Sequence, residues 1–136
     1  MTPALRSAAT LLKEGRLQEA RAALIKILRV RGSSMMALQL MGAVLSELGD
    51  HDQAVVFLKR ATALDPDSAS AHFNLGKAQH CAGYPEAALH SLGRSLGLEP
   101  GRAETHFAYG SALQGRRRYE EALVSYRRAL SIDPDL

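Results

Sequence analysis

The chain is 136 residues long, 46% apolar and 23% charged, a balance that permits one globular domain with a buried core and excludes a disordered segment. The net charge is +3, aromatics are only 5% and tryptophan is absent, while Ala and Leu abound; this composition points to an all-α class in which small residues let helices pack closely. The single cysteine, Cys81, excludes an intramolecular disulfide and a Cys-rich zinc site, and no stretch approaches the ~20 apolar residues of a membrane span or carries a secretory signal, so a cytoplasmic protein with no membrane partner is expected.

Taken in order, the predicted elements repeat. Residues 1–34 carry Ala8, then Ala20, Leu24, Ile27 and Leu28, and close on "RGSS". Residues 35–68 carry Gly42, then Ala54, Leu58 and Thr62, and close on Pro66. Residues 69–102 carry Gly76, then Ala88, Leu92 and Leu96, and close on Pro100. In residues 103–136 the pattern is fullest: His106, Tyr109, Gly110 and Leu113 form one helical stripe, "GRRR" makes a polar turn, and Ala122, Leu123, Tyr126, Ala129 and Leu130 form a second stripe before Pro134. Each column recurs at a spacing of 34 residues, so the whole chain divides into four units of that length, each a helix, a short turn and a second helix. The proline stops the second helix and biases the residue before it away from helix.

Three in-phase glycines inside helices, each costing about 1 kcal/mol against alanine, imply close helix packing in every unit. Gly76 and Ala88 are the expected points of nearest approach, with Leu75, Leu92 and Leu96 filling the space between the two helices. One hairpin cannot cover its own apolar stripe, so the units are expected to stack on their neighbours.

The stretches "AHFNLGKAQHCAGYPEAALHSLGRSLGLEPG" and "THFAYGSALQGRRRYEEALVSYRRALSIDPD" resemble tetratricopeptide repeats. The likeness lies in the Leu or Tyr before Gly, the Ala near the start of the second helix, the aromatic or Leu four residues on, and the closing Pro. The first unit departs from the pattern, with Ala8 for glycine, Ile27 for a small residue and "RGSS" for the proline stop; it reads as a modified end-cap. The resemblance implies a single domain over 1–136, with units 1–34, 35–68, 69–102 and 103–136, stacked as a right-handed superhelical solenoid of antiparallel helix pairs whose first helices line a concave groove. It also implies a non-catalytic protein-protein interaction scaffold that binds a peptide or helical segment in that groove.

The groove residues expected on this basis are Met36, Gln39, Leu40 and Ala43, then Phe73, Asn74, Lys77 and His80, then Phe107, Ser111 and Gln114. The family arrangement that clamps a C-terminal carboxylate is not reproduced. Its five places fall on Gln39, Ala43, Asn74, Phe107 and Ser111, of which only Asn74 matches, or on Leu5, Ala9, Leu40, Phe73 and Lys77, of which only Lys77 has the right charge. Nor is there an asparagine ladder, since its rungs read Arg6, Leu40, Asn74 and Ala108. Phe73 and Phe107 stand either in the groove or in helix packing.

No catalytic site, metal or cofactor is expected. His72 and His106 share a phase on the packing side; His51, His80 and His90 have no second ligand at helical spacing, and His80 and Cys81 point about 100° apart. No phosphate-binding glycine motif is present. Basic residues concentrate in the first unit (Arg6, Lys13, Arg16, Arg21, Lys26, Arg29, Arg31) and at Arg116, Arg117 and Arg118, without interleaved aromatics, so they read as a solvated exterior and nucleic acid is not an expected partner. Two further readings arise from the ending "DPDL", which leaves the last apolar face uncovered. The units could be the N-terminal substrate-recognition arm of a larger enzyme of glycosyltransferase or sulfotransferase type, or the uncapped last repeat could serve self-association.

Overall fold

The computed structural model describes all 136 residues as eight helices and no strand: α1 (Pro3–Lys13), α2 (Leu17–Val30), α3 (Met35–Glu47), α4 (His51–Leu64), α5 (Ala69–Cys81), α6 (Pro85–Leu98), α7 (Ala103–Gly115) and α8 (Tyr119–Ile132). They gather into two compact units, Met1–Asp65 and Pro66–Leu136. Within the first, α1 pairs with α2, α3 with α4, and α3 also packs on α2 and α1; within the second, α5 pairs with α6, α7 with α8, and α7 packs on α6 and α5.

Each hairpin turn is closed by the same backbone device. The N–H groups of Arg16, Asp50, Tyr84 and Arg118 donate to the carbonyls of Leu11, Leu45, Gln79 and Leu113 at 2.8–2.9 Å, the six-to-one bond that ends a helix around a left-handed residue. That residue is Gly15, Gly49 and Gly83 in three turns, at φ of +74°, +84° and +90°, but Arg117 at φ +60° in the fourth. A side chain in this conformation is strained by roughly 1 kcal/mol. Arg117→Gly is therefore expected to stabilise the second unit by about 0.5–1 kcal/mol, and Gly83→Arg to destabilise it by a similar amount, as read from urea unfolding midpoints.

Local chemistry starts and stops the helices. Thr2, Ser34 and Ser68 accept from the N–H groups of Leu5, Ala37 and Ala71, and Asp50 accepts from Gln53, so α1, α3, α5 and α4 begin on side-chain caps. Arg16 and Arg118 instead fork onto Glu19 and Glu121 three residues on, and these bonds hold both carboxyls below the usual carboxylate range. At the other end, Asp65, Glu99 and Asp133 turn extended before Pro66, Pro100 and Pro134. Arg31 adopts the same backbone before Gly32, so the first hairpin ends like the others without a proline.

The carbonyl of the residue at this stop is tied back to the fold. Arg60 donates to Gly32 O at 2.9 Å and Arg94, 34 residues later, to Pro66 O at 3.4 Å. The rings of His72 and His106 also reach Pro66 O and Pro100 O, at 2.8 and 2.7 Å through Nε2; because a carbonyl only accepts, Nε2 carries the hydrogen.

The in-phase glycines meet large side chains. A Cβ on Gly42 would lie 2.5 Å from Leu58, one on Gly76 2.6 Å from Leu92, and one on Gly110 2.9 Å from Tyr126 and 3.2 Å from the Ala122 carbonyl. The nearest neighbour of Gly76 is thus Leu92, not Ala88 as the sequence suggests: the missing side chain makes a socket for a whole leucine. Leu24, Leu38, Met41 and Val44 are fully buried in the first unit and Leu92 and Leu113 in the second. Leu96 is only half-buried; the core place beside it belongs to Ser95, whose hydroxyl donates to Ala69 O at 2.8 Å. The buried Gln79 is likewise satisfied, accepting from Ser91 at 2.6 Å.

Candidate protein-interaction surface

The side chains expected to meet a partner fall in both units. Four lie on α3 in the first unit: Met36 and Ala43 are exposed, Gln39 and Leu40 half-buried. Seven lie on α5 and α7 in the second unit, where the two helices pack side by side and bring them together.

On α5, Phe73 is half-buried against the cluster formed by Ala88, Leu89, Leu92, Ala112, Leu113 and Ala122. Its ring carries two cations, Lys77 Nζ at 5.3 Å and Arg102 Cζ at 5.1 Å from the centroid. Asn74 sits half-buried beside them, and α5 has no acidic residue along its length. Lys77 is exposed one turn above Phe73, with its ammonium over the ring. His80, half-buried at the end of α5, lies near the close of α7: its Cε1 is 3.7 Å from where a Cβ on Gly115 would stand.

On α7, Phe107 is 51% exposed and lies against Tyr126 of α8, the ring centroids 5.3 Å apart at 52°. The Tyr126 hydroxyl donates to Gln114 Oε1 at 2.8 Å and lies 3.3 Å from Ser111 Oγ. Phe73 is thus half-buried in packing, whereas Phe107 is largely open to solvent.

Arg102 and Tyr126 are the members that sequence reading passes over. Arg102 stands in the column of the caps Ser34 and Ser68, and that break in the column was its only signal. Tyr126 reads as a core residue because Leu58 and Leu92 share its column, and its hydroxyl is what reaches the α7 surface.

What the surface offers is side-chain contact with another molecule: an aromatic face, the cations Lys77 and Arg102, the latter paired with Glu99 at 3.7 Å, and amide groups, with no nucleophile and base held together. No group of three or more His, Cys, Asp or Glu side chains converges closely enough to hold a metal ion. No helix is long and apolar enough to cross a membrane. Fold and surface together define the class, an all-α helical-repeat protein of the kind that serves as a protein-interaction scaffold.

The comparisons agree with that class and give the family. The TPR repeat profile matches residues 42–83, and the tetratricopeptide repeat profile matches residues 103–136, together more than half of the chain. The chain belongs to the tetratricopeptide-repeat family. A search of curated protein sequences found no match. Among solved structures, it is similar to MamA 41-end from Desulfovibrio magneticus RS-1, with a TM-score of 0.90 at 22% identity over 97% of this chain and 75% of that one. It is also similar to a structure described as the crystal structure of MamA, with a TM-score of 0.86 at 24% identity over 93% and 74% of the two chains. At these identities the likeness concerns the fold.

Proposed function

We propose that this protein is a non-catalytic scaffold that holds a peptide or helical segment of a protein partner against the first helices of its repeats, on α5 and α7 of the second unit, with α3 as the corresponding face of the first unit taken by itself. The observation that carries the reading is the α5–α7 surface. Phe107 is half exposed although His106 beside it is buried, and Lys77 stands over Phe73 with no acidic residue on its own helix. An exposed aromatic flanked by polar and cationic side chains is the composition of a binding hot spot, because the ring supplies contact area and the polar groups orient the guest. The exposed thiol of Cys81 fits a reducing compartment, and we place the protein in the cytoplasm on that ground.

The test is to capture a partner with the full chain, identify it, and measure its affinity for three proteins. Combined Asn74→Ala and Lys77→Ala should weaken binding about tenfold or more, as loss of a hot spot costs more than ~1.4 kcal/mol, while leaving the helical signal intact. Val56→Ser, on the exposed side of α4, should bind as the unaltered protein does. Equal affinities for all three would remove the α5–α7 assignment.

A further inference from the structure

We propose that the guest of the α5–α7 surface is an acidic segment, one aspartate or glutamate side chain of which lies between Lys77 and Arg102 at the rim of the Phe73 ring. The inference rests on the peptide-binding reading and names the chemistry of the peptide.

Two cations meet on one ring. Lys77 Nζ is 5.3 Å and Arg102 Cζ 5.1 Å from the Phe73 centroid, so the two charges stand within about 10 Å of each other, where like charges are only partly screened at physiological salt. The ring holds both in place without neutralising either. Lys77 has no ion pair, α5 carries no acidic residue, and Arg102 has only Glu99, at 3.7 Å and with that carboxylate mostly in water.

Neither cation is a habit of the repeat. The column of Lys77 holds Ala9, Ala43 and Ser111, and that of Arg102 holds Ser34 and Ser68. Those serines cap α3 and α5, whereas α7 starts without a side-chain cap, so Arg102 stands where it weakens its own helix start. A residue that breaks a local rule with no compensating gain inside the fold marks a place where another molecule supplies the gain. A carboxylate between the two cations does so, by offsetting their repulsion and accepting charge-assisted hydrogen bonds from an ammonium and a guanidinium. Asn74, half-buried beside Phe73, offers an amide donor and acceptor to the backbone of the same guest. Glu104, exposed two places after Arg102, sets the direction: it repels a further acid beyond Arg102, so additional acidic residues of the guest belong on the Lys77 side. Nucleic acid or an anionic membrane is less suited, because two cations are few for a run of phosphates and the ring they cover is not free to stack.

The test is selection of a displayed random peptide library on the full chain, followed by affinity measurements with the peptides recovered. These should share an Asp or Glu, and their binding should weaken about tenfold for Lys77→Gln and likewise for Arg102→Ser, each loss shrinking as salt is raised. Arg102→Ser restores a cap of the kind Ser68 provides, so its urea midpoint should be unchanged or higher, and weaker binding then cannot come from a damaged fold. Reversing both charges, Lys77→Glu with Arg102→Glu, should select peptides bearing Lys or Arg instead. Peptides that lack an acidic residue yet lose affinity in the combined Asn74→Ala and Lys77→Ala protein would overturn the acidic guest and leave the α5–α7 site standing. Failure to select any peptide, or peptides indifferent to every one of these substitutions, removes both. Oligothymidylate or phosphatidylserine vesicles that bind more tightly than any peptide, with the same dependence on Lys77 and Arg102, would overturn the proposal in favour of a phosphate ligand.

Discussion

Gly76→Ala should destabilise the second unit by about 1–2 kcal/mol, although alanine is the better helix former by about 1 kcal/mol. The added methyl would stand 2.6 Å from Leu92 Cγ and 3.3 Å from the Leu92 backbone nitrogen, and Leu92 is fully buried with nowhere to turn. Either α5 and α6 move apart or Leu92 leaves its rotamer, and both cost packing that the gain in helix propensity does not recover. Leu92→Ala alone should cost more, about 2–5 kcal/mol, because it empties the socket that Gly76 lines. The informative measurement is the double variant. With Leu92 removed, the new methyl relieves no clash and partly fills the void, so Gly76→Ala should become neutral or stabilising in that background. The coupling between the two sites should be about 1–3 kcal/mol by urea unfolding. Additive effects would mean that the glycine is not there for the leucine.

His106→Ala is the other substitution expected to act strongly, with a loss of about 2 kcal/mol. It removes a nearly buried ring and leaves the Pro100 carbonyl without the donor at 2.7 Å. Leucine, which occupies the same column at Leu38, should restore the packing but not the bond and recover roughly half of the loss. The equivalent ring of His72 is half-buried, and Pro66 O has Arg94 as a further donor, so His72→Ala should cost less. If both alanine variants proved equally mild, the histidine column would be filling space and nothing more.

These two cases show where reading residues reaches and where it stops. The 34-residue period, the two helices of each unit, their turns and the proline stops follow from local rules: apolar residues at helical spacing, left-handed glycines, and a ring that removes a donor. For that reason they are visible in one dimension. That Gly42, Gly76 and Gly110 mark close packing is visible too, because a repeated cost must have a repeated compensation. The identity of the compensating residue is not, since Ala88 and Leu92 are both in phase and only the approach of two helix axes selects the leucine.

The candidate surface divides in the same way. Phe73, Asn74, Lys77 and Phe107 could be named from their phase, because phase sets which side of a helix a residue faces. Whether a ring on that side is covered depends on what lies across from it. Phe73 is held under Lys77 and Arg102 while Phe107 stays open on Tyr126, and these contacts join residues up to 29 places apart in the chain. The left-handed Arg117 belongs to neither level alone. Its place in the glycine column is written in the residues, yet three arginines in a row read as a solvated turn, and only the closed backbone of that turn reveals that the middle one bears the strain. Periodicity sets which helices form because helix formation is local, whereas exposure, sockets and bonds across hairpins depend on distances of a few tenths of an ångström that arise only once the helices are packed.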